Sequence, residues 1–188
     1  DSDVGYGGFV DFEYTFRQGV KQRLGIEYFD DAVNINDLGY QARNNYLQVR
    51  TAHTRTTSDL TWARNNQFDI RGAVQENGDG FLTRAGIFIS NRATFNNLTS
   101  ITGRISHFAQ GYDDLNSFGN GVYRIQEKTA AGLSFDSNTA KALNFGLGLG
   151  FEEEDLGSDS YYYEAKVNWR PLDGLSLAAG VKYLDRDG

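Results

Sequence analysis

The chain has 188 residues, a net charge of −7 and no cysteine. The acidic balance argues against a general nucleic-acid binder, because such proteins neutralise phosphates with a basic surface. The lack of cysteine excludes disulfide frameworks and thiolate chemistry. No run of about 18 apolar residues accompanies the mean hydropathy of −0.52, which excludes a helical membrane span within these residues.

Alternation of apolar and polar residues predicts ten β-strands. The clearest is 143 to 151, where the odd-numbered residues are Leu or Phe and the even-numbered ones are Asn or Gly. Arg64 to Gln67 interrupts the apolar face of another, which predicts a bulge, a phase slip or a turn. In chain order the predicted strands are 6 to 16, 20 to 29, 46 to 55, 59 to 76, 80 to 94, 98 to 110, 121 to 135, 143 to 151, 161 to 170 and 175 to 183.

The predicted connections alternate in length, as in outer-membrane barrels with short periplasmic turns and long external loops. Longer ones fall at 30 to 45, 111 to 120 and 152 to 159, while the one around Asn77 to Gly80 is tight. Short ones fall near Arg17-Gln18-Gly19, Thr56-Thr57-Ser58, Asn96-Asn97, Asp136-Ser137-Asn138 and Leu172-Asp173.

Aromatic residues mark both ends of the predicted apolar face. About ten residues separate the two groups, which matches the roughly 9 to 11 residues that a tilted strand needs to cross a bilayer. A soluble β-sandwich also alternates but has no reason to place aromatics at both ends. The predicted girdles are Phe16, Trp62, Phe95, Phe135 and Trp169 near the short turns, and Tyr28, Phe151, Tyr161 and Tyr183 near the long loops.

These patterns predict an all-β, antiparallel up-and-down transmembrane β-barrel over 1–188, in the bacterial outer membrane and in contact with lipid and lipopolysaccharide. Both chain ends would then lie outside the cell. Complete single-chain barrels normally begin and end in the periplasm, so we expect further strands on both sides of this region.

The predicted inner face is basic, which favours anionic solutes. The alternative is that basic and acidic side chains ladder across the wall and hold it rigid. The acids expected on this face are Asp11, Glu13, Glu27, Asp69 and Glu164, and the basic residues expected to line the lumen are Arg50, Arg71, Arg84, Arg104, Arg124, Lys128, Lys166 and Arg170. Gly146, Gly148 and Gly150 also face inward, where they leave room for Tyr162 to lie on the backbone.

The loop at 30 to 39 carries closely spaced oxygen ligands that suit Ca²⁺. It lacks the glycine and the final glutamate, in register, of the helix-flanked calcium loop. Asx-type turn chemistry is the alternative for this loop. The candidate ligands are Asp30, Asp31, Asn34, Asn36 and Asp37. No other cofactor is expected.

Catalytic residues are scarce. The histidines His53 and His107 are both predicted on the lipid-facing register, and alternation sends Ser106 to the opposite side from His107. A membrane-embedded hydrolase would therefore need a Ser or Thr on a neighbouring strand. The chain is accordingly predicted not to be an enzyme.

The stretch Asn36-Asp37-Leu38-Gly39-Tyr40, followed by Arg43-Asn44, resembles a motif of about a dozen residues in a bacterial protein family. Members of that family join an N-terminal carbohydrate-binding-module-like domain to a C-terminal membrane-barrel region of unknown function. The resemblance implies a barrel region that follows a sugar-binding-like domain. The predicted function is a pore, or a membrane anchor for that domain; the alternatives are a membrane-embedded hydrolase and a soluble β-sandwich that binds glycans.

Overall fold

The computed structural model describes residues 4–33, 43–116, 121–153 and 158–187. These residues form twelve β-strands, and among them no helix is long and apolar enough to cross a membrane. The strands are β1 (Gly7–Arg17), β2 (Val20–Phe29), β3 (Tyr46–Ser58), β4 (Ala63–Asn77), β5 (Leu82–Phe95), β6 (Ser100–Phe108), β7 (Gly111–Asp113), β8 (Tyr123–Ile125), β9 (Lys128–Asp136), β10 (Leu143–Glu153), β11 (Asp159–Leu172) and β12 (Leu175–Asp187).

Ten strands form one sheet in the order β1-β2-β3-β4-β5-β6-β9-β10-β11-β12, and β7 pairs with β8 in a separate two-stranded sheet. Each strand of the large sheet thus lies beside its sequence neighbours, apart from the excursion through β7 and β8. The pairs β1–β2, β9–β10, β10–β11 and β11–β12 are antiparallel. The predicted up-and-down antiparallel arrangement of ten strands is confirmed.

Several predicted strand ends are wrong. The turn between β3 and β4 was predicted at 56–58 but lies at 59–62, where Asp59 adopts a positive φ of 57°. Residues 56–58 therefore belong to β3, and Trp62 belongs to the turn. β4 runs unbroken from Ala63 and contains the interrupting polar residues 64–67. Alternation cannot locate such ends, because polar residues on one face of a strand continue directly into polar turns.

The predicted strand 121 to 135 is divided in the structure. Its first part is β8, which pairs with β7, and only β9 joins the large sheet. Two acids that were assigned to connections lie instead in strands: Asp136 ends β9 and Glu152 lies in β10. Both corrections matter for the charge of the polar face.

The chain divides into two compact units. The first unit (Asp1–His53, Arg71–Ile87 and Phe108–Glu127) contains the β1–β2 hairpin and the β7–β8 hairpin. The second unit (Thr54–Ile70, Phe88–His107 and Lys128–Gly188) contains the meander β9 to β12. In that meander the register places odd-numbered residues on one face, from Leu143 to Phe151 in β10 and from Tyr161 to Trp169 in β11.

Burial is inverted relative to a water-soluble protein. Among the described residues no large side chain is fully buried, and the buried apolar residues are Val33, Ala63 and Ala93. Leucines and aromatics on the odd-numbered face are about half exposed, for example Leu147 at 53% and Tyr163 at 54%. Polar side chains are the buried ones, among them Gln48, Asp69, Asn77, Ser100, Thr102, Asn144 and Ser160.

Candidate functional site

The polar face of the second unit is built around glycines that face charged side chains. Gly146 pairs with Asp136 on one side and with Lys166 on the other. The Lys166 side chain crosses the place where a Gly146 Cβ would lie, and its Nζ reaches Asp136 Oδ1 at 3.0 Å. The absence of a side chain at 146 therefore lets an ion pair span three strands.

Tyr162 occupies the next glycine gap. A Cβ on Gly150 or on Gly132 would lie closer than 3.0 Å to the Tyr162 side chain, so the tyrosine lies on bare backbone, as the sequence predicted. The Lys182 ammonium stands 5.5 Å from the Tyr162 ring centroid, which is within cation–π range. Gly148 differs, because its nearest neighbour would be Glu164 Cβ at 3.6 Å.

A further ion pair and a hydrogen bond between two side-chain amides lie on the same face. Lys128 Nζ lies 2.8 Å from Glu152 Oε1. Asn168 donates to Asn144 Oδ1 at 3.2 Å. The meander therefore presents a continuous set of polar contacts on its even-numbered face.

The polar face of the first unit carries similar pairs. Lys21 Nζ lies 3.0 Å from Glu13 Oε1, and Arg50 Nη2 lies 3.6 Å from Glu27 Oε2. A Cβ on Gly25 would meet Asp11 and Arg50. Pairs of this kind, with one partner half exposed, each contribute about 0 to 1 kcal/mol to stability, so their main effect is on the local potential.

Several of the predicted lumen residues have defined partners, and the prediction of a basic lumen stays a prediction. Arg170 donates to the carbonyl of Thr139. Arg124 lies in β8, outside the ten-stranded sheet, and donates to Gln110. The sequence analysis missed Asp136 and Glu152 as acids of this face because it assigned them to connections. The other residues of the predicted set stand in strands of the large sheet: Arg71 in β4, Arg84 in β5 and Arg104 in β6.

The candidate calcium loop is described only in part, since Asn34, Asn36 and Asp37 lie outside the described residues. Asp30 forms an Asx turn: Oδ1 accepts from the N–H groups of Ala32 at 3.1 Å and Val33 at 3.0 Å, and Oδ2 accepts from Tyr6 N at 2.6 Å. Within 4–33, 43–116, 121–153 and 158–187, no group of three His, Cys, Asp or Glu side chains could hold a metal ion. The calcium site stays a prediction.

A second polar cluster joins the long connections of the first unit. Arg43 pairs with Asp114, and Asn77 donates to Asp114 Oδ2 at 2.7 Å. Asn44 donates to the carbonyls of Asp31 at 2.7 Å and Val33 at 3.1 Å. Two of the residues that carry the family resemblance, Arg43 and Asn44, thus bind residues of the long connections. Residues 36–40 of the motif lie outside the described part of the chain.

Burial lowers the pKa of the Arg43 guanidinium within this cluster. Burial opposes ionisation of Asp113 as well, but hydrogen bonds from the backbone and side chain of Asn116, the Leu115 N–H and the Tyr123 hydroxyl lower its pKa to about 2. The Asp113 carboxylate consequently stays charged across the physiological range and accepts hydrogen bonds from Leu115 and Asn116, which follow β7, and from Tyr123 in β8.

Both histidines lie beside apolar strand residues and bond to a neighbouring strand. His53 Nδ1 lies 3.2 Å from Gln22 Oε1, and His107 Nδ1 lies 3.1 Å from Thr129 Oγ1. The His107–Thr129 pair is the kind that the hydrolase alternative requires. However, Glu153 Oε2 accepts from the Thr129 N–H at 2.8 Å rather than from the imidazole, so this carboxylate does not orient the ring as a base.

Of the predicted girdle residues, Trp62 lies in the turn between β3 and β4, and the others lie in strands of the large sheet. Several of them form aromatic pairs. Trp62 and Phe95 have ring centroids 6.2 Å apart, Phe135 and Phe145 5.8 Å apart, and Tyr14 and Phe16 4.9 Å apart. Tyr28 and Trp169 are about half exposed, at 51% and 49%. Tyr183 pairs with Tyr163, and their ring centroids are 6.3 Å apart.

Asn66 and Asn91 form a reciprocal amide pair that the sequence analysis missed. Each Nδ2 donates to the other's Oδ1, at 3.0 and 3.2 Å. Asn66 alternates with Phe68 and Ile70, so the pair lies on the apolar side of β4 and β5. Mutual bonding satisfies two groups that would otherwise be costly in an apolar environment.

Changing Asn91 alone to Ala should lower the free energy of unfolding by about 1 to 3 kcal/mol, because the Asn66 amide loses its partner. The double change Asn66→Ala with Asn91→Ala should lower the free energy of unfolding by less than the sum of the two single changes. A double-mutant cycle from urea unfolding measures the coupling. Additive single changes would show that the pair is energetically independent.

Comparison with known proteins places the chain in a family. The sequence matches the family described as Domain of unknown function (DUF5916) over residues 1–188. The chain belongs to this family. The description of the DUF5916 family names no sugar-binding domain, so the domain implied by the motif stays a prediction. The outer-membrane location predicted from the strand pattern stays a prediction as well.

The fold of the DUF5916 chain resembles that of a porin whose structure has been refined, with a TM-score of 0.64 and 14% sequence identity. The match covers 95% of this chain and 56% of the porin chain, so the chain spans little more than half of that porin's length. No curated protein matches the sequence. The porin likeness shows the fold, which is a porin-like β-barrel sheet.

Proposed function

We propose that this chain forms part of a bacterial outer-membrane β-barrel that acts as a pore, with the polar face lining its interior. The observation that carries the proposal is the inverted burial of the second unit. Leu143, Leu147 and Leu149 are exposed at 59, 53 and 52%, whereas Asn144 and Ser160 on the other face are 5 and 4% exposed.

A continuous apolar face of this size is unfavourable in water, where contiguous exposed apolar patches rarely exceed a few hundred Å². In hydrocarbon the same face is well solvated, and antiparallel pairing joins β10 and β11 to a neighbouring strand on each side, as the lack of water in hydrocarbon requires. Alternation of apolar-out and polar-in residues is the signature of membrane barrels. The porin-like fold supports the same environment.

The polar face supports a water-filled interior with a weak preference for anions. Its ion pairs neutralise part of the basic charge, while Arg84 and Arg104 add positive charge from β5 and β6. A weakly charged lining selects ions through its electrostatic potential and not by binding them tightly. The motif that precedes β3 supports a linked sugar-binding-like domain, so that the pore would also anchor it.

Planar bilayer recordings of the full-length protein test this proposal. We expect conductance, and a reversal potential in a KCl gradient that shows modest anion preference. Asp136→Asn should increase that preference, because Lys166 loses its neutralising partner at 3.0 Å. Lys166→Gln should shift selectivity toward cations.

Asp173→Asn in the β11–β12 turn is the matched control, since it removes the same charge away from the polar face. It should leave the reversal potential unchanged. A folded, membrane-inserted protein without conductance would contradict the pore and leave the anchor. Equal shifts from Asp173→Asn and Asp136→Asn would contradict the assignment of the polar face to the interior.

A further inference from the structure

A groove of about 590 Å³ crosses the apolar face of the second unit. Its floor includes Gly103 in β6 and Ala131 in β9, and its walls are mostly larger apolar side chains. Asn91 and Arg104 also line it. A Cβ added at Gly103 would meet nothing within 4 Å, so the depression results from missing side-chain volume. The wall residues are Ile89, Ile105, Leu133, Leu149, Phe151 and Tyr163.

A polar row lies on the same face directly beyond one end of the groove. Ala131 pairs with Phe151, and alternation brings Thr129 and Glu153 to the next position of that face. There Glu153 Oε2 accepts from Thr129 N at 2.8 Å, and Thr129 Oγ1 lies 3.1 Å from His107 Nδ1. All three residues adjoin the longer connections, at the end of the strands where lipid headgroups would lie.

We propose that this groove binds one acyl chain of a phospholipid whose headgroup carries a cationic amine. This inference rests on the proposed function, because only a membrane brings hydrocarbon to this face. The acyl chain of the lipid would fill the space over Gly103 and Ala131. The ammonium group would lie at the polar row, where the Glu153 carboxylate supplies the complementary charge.

The charge at the polar row sets the class of lipid. Glu153, the last residue of β10, supplies the carboxylate of the polar row, so an anionic phosphate headgroup without a compensating amine would be repelled there. An aliphatic chain also suits the groove better than a flat protein surface, since the depression is walled by side chains that are themselves half exposed, such as Ile105 at 52% and Leu133 at 50%.

Native mass spectrometry of the full-length protein tests the inference after reconstitution in phosphatidylethanolamine vesicles and, separately, in phosphatidylglycerol vesicles. We expect one phosphatidylethanolamine to be retained by the native protein. Gly103→Leu should abolish this retention by filling the groove, and Ala131→Leu should do the same. Glu153→Gln should reduce it and remove the preference over phosphatidylglycerol.

Gly72→Leu is the matched control, because it adds the same side chain on β4 outside the groove and a Cβ there meets only ordinary contacts at 3.5 and 3.7 Å. It should retain the lipid. Equal retention in Gly103→Leu, equal retention of phosphatidylglycerol, or a second copy of the protein in place of lipid would each overturn the inference.

Flotation with vesicles and gel mobility before and after boiling, measured on the same samples, separate the two proposals. Protein that floats and changes mobility on boiling, yet retains no lipid, refutes the groove and leaves the membrane barrel intact. Protein that neither floats nor changes mobility refutes both.

Discussion

Leu147→Arg is expected to lower the free energy of unfolding from a bilayer by about 2 to 4 kcal/mol. Leu147 lies in the middle of β10, opposite Phe135 and Ala165, and is 53% exposed on the apolar face. If that face contacts lipid, the guanidinium enters the hydrocarbon centre, where its loss of hydration is most costly. Urea titration of vesicle-folded protein, followed by the gel mobility of unboiled samples, measures the change.

Leu143→Arg provides the depth control. Leu143 begins β10 at the short-turn end and pairs with Trp169, so an arginine there reaches the interface and should cost about 0 to 1 kcal/mol. In a water-soluble protein both substitutions would fall within about 0.5 kcal/mol of zero, because both positions are exposed. Equal small effects at 143 and 147 would therefore contradict a lipid-facing β10.

Gly150→Val is expected to destabilise the sheet by about 1 to 3 kcal/mol. Its Cβ would come closer than 3.0 Å to the Ala131 carbonyl and to the Tyr162 ring. The carbonyl belongs to the backbone of β9 and cannot move without disturbing the ladder, and displacing Tyr162 also removes its contact with Lys182. Urea unfolding, followed by the fluorescence of Trp169 and Trp62, measures the loss.

Gly148→Ala is the matched control on the same strand and face. Its Cβ would meet Glu164 Cβ at an ordinary 3.6 Å, so we expect no loss, or a gain of up to about 1 kcal/mol from the less flexible unfolded chain. Gly150→Ala should lie between the two. A Gly150→Val protein as stable as Gly148→Ala would show that the tyrosine does not depend on the bare backbone.

Alternation alone was sufficient to predict the ten strands of the large sheet, because a two-sided sheet repeats every second residue and each strand is at least nine residues long. It also placed Tyr162 on the glycine row. Alternation failed at 121–135, because β7 and β8 contain three residues each. A strand that short does not show a recognisable alternation of apolar and polar residues.

The site was less predictable than the fold. Pairing of Lys166 with Asp136 depends on register across β9, β10 and β11, which local pattern does not specify. The Asn66–Asn91 bond depends likewise on the alignment of β4 with β5. Because strand ends were misplaced by a few residues, Asp136 and Glu152 were assigned to connections, although they lie in β9 and β10.

Single-cysteine labelling of the full-length protein in bilayers tests the central claim most directly, and this region contains no cysteine of its own. Cysteines at Leu147, Gly148, Leu149 and Glu164 sample both faces of β10 and β11. Maleimides react with thiolates, which form in water and not in hydrocarbon. We predict that a polar maleimide labels the cysteines at 148 and 164, and labels those at 147 and 149 only after the protein is unfolded. Rapid labelling at all four positions in the folded protein would contradict a membrane barrel.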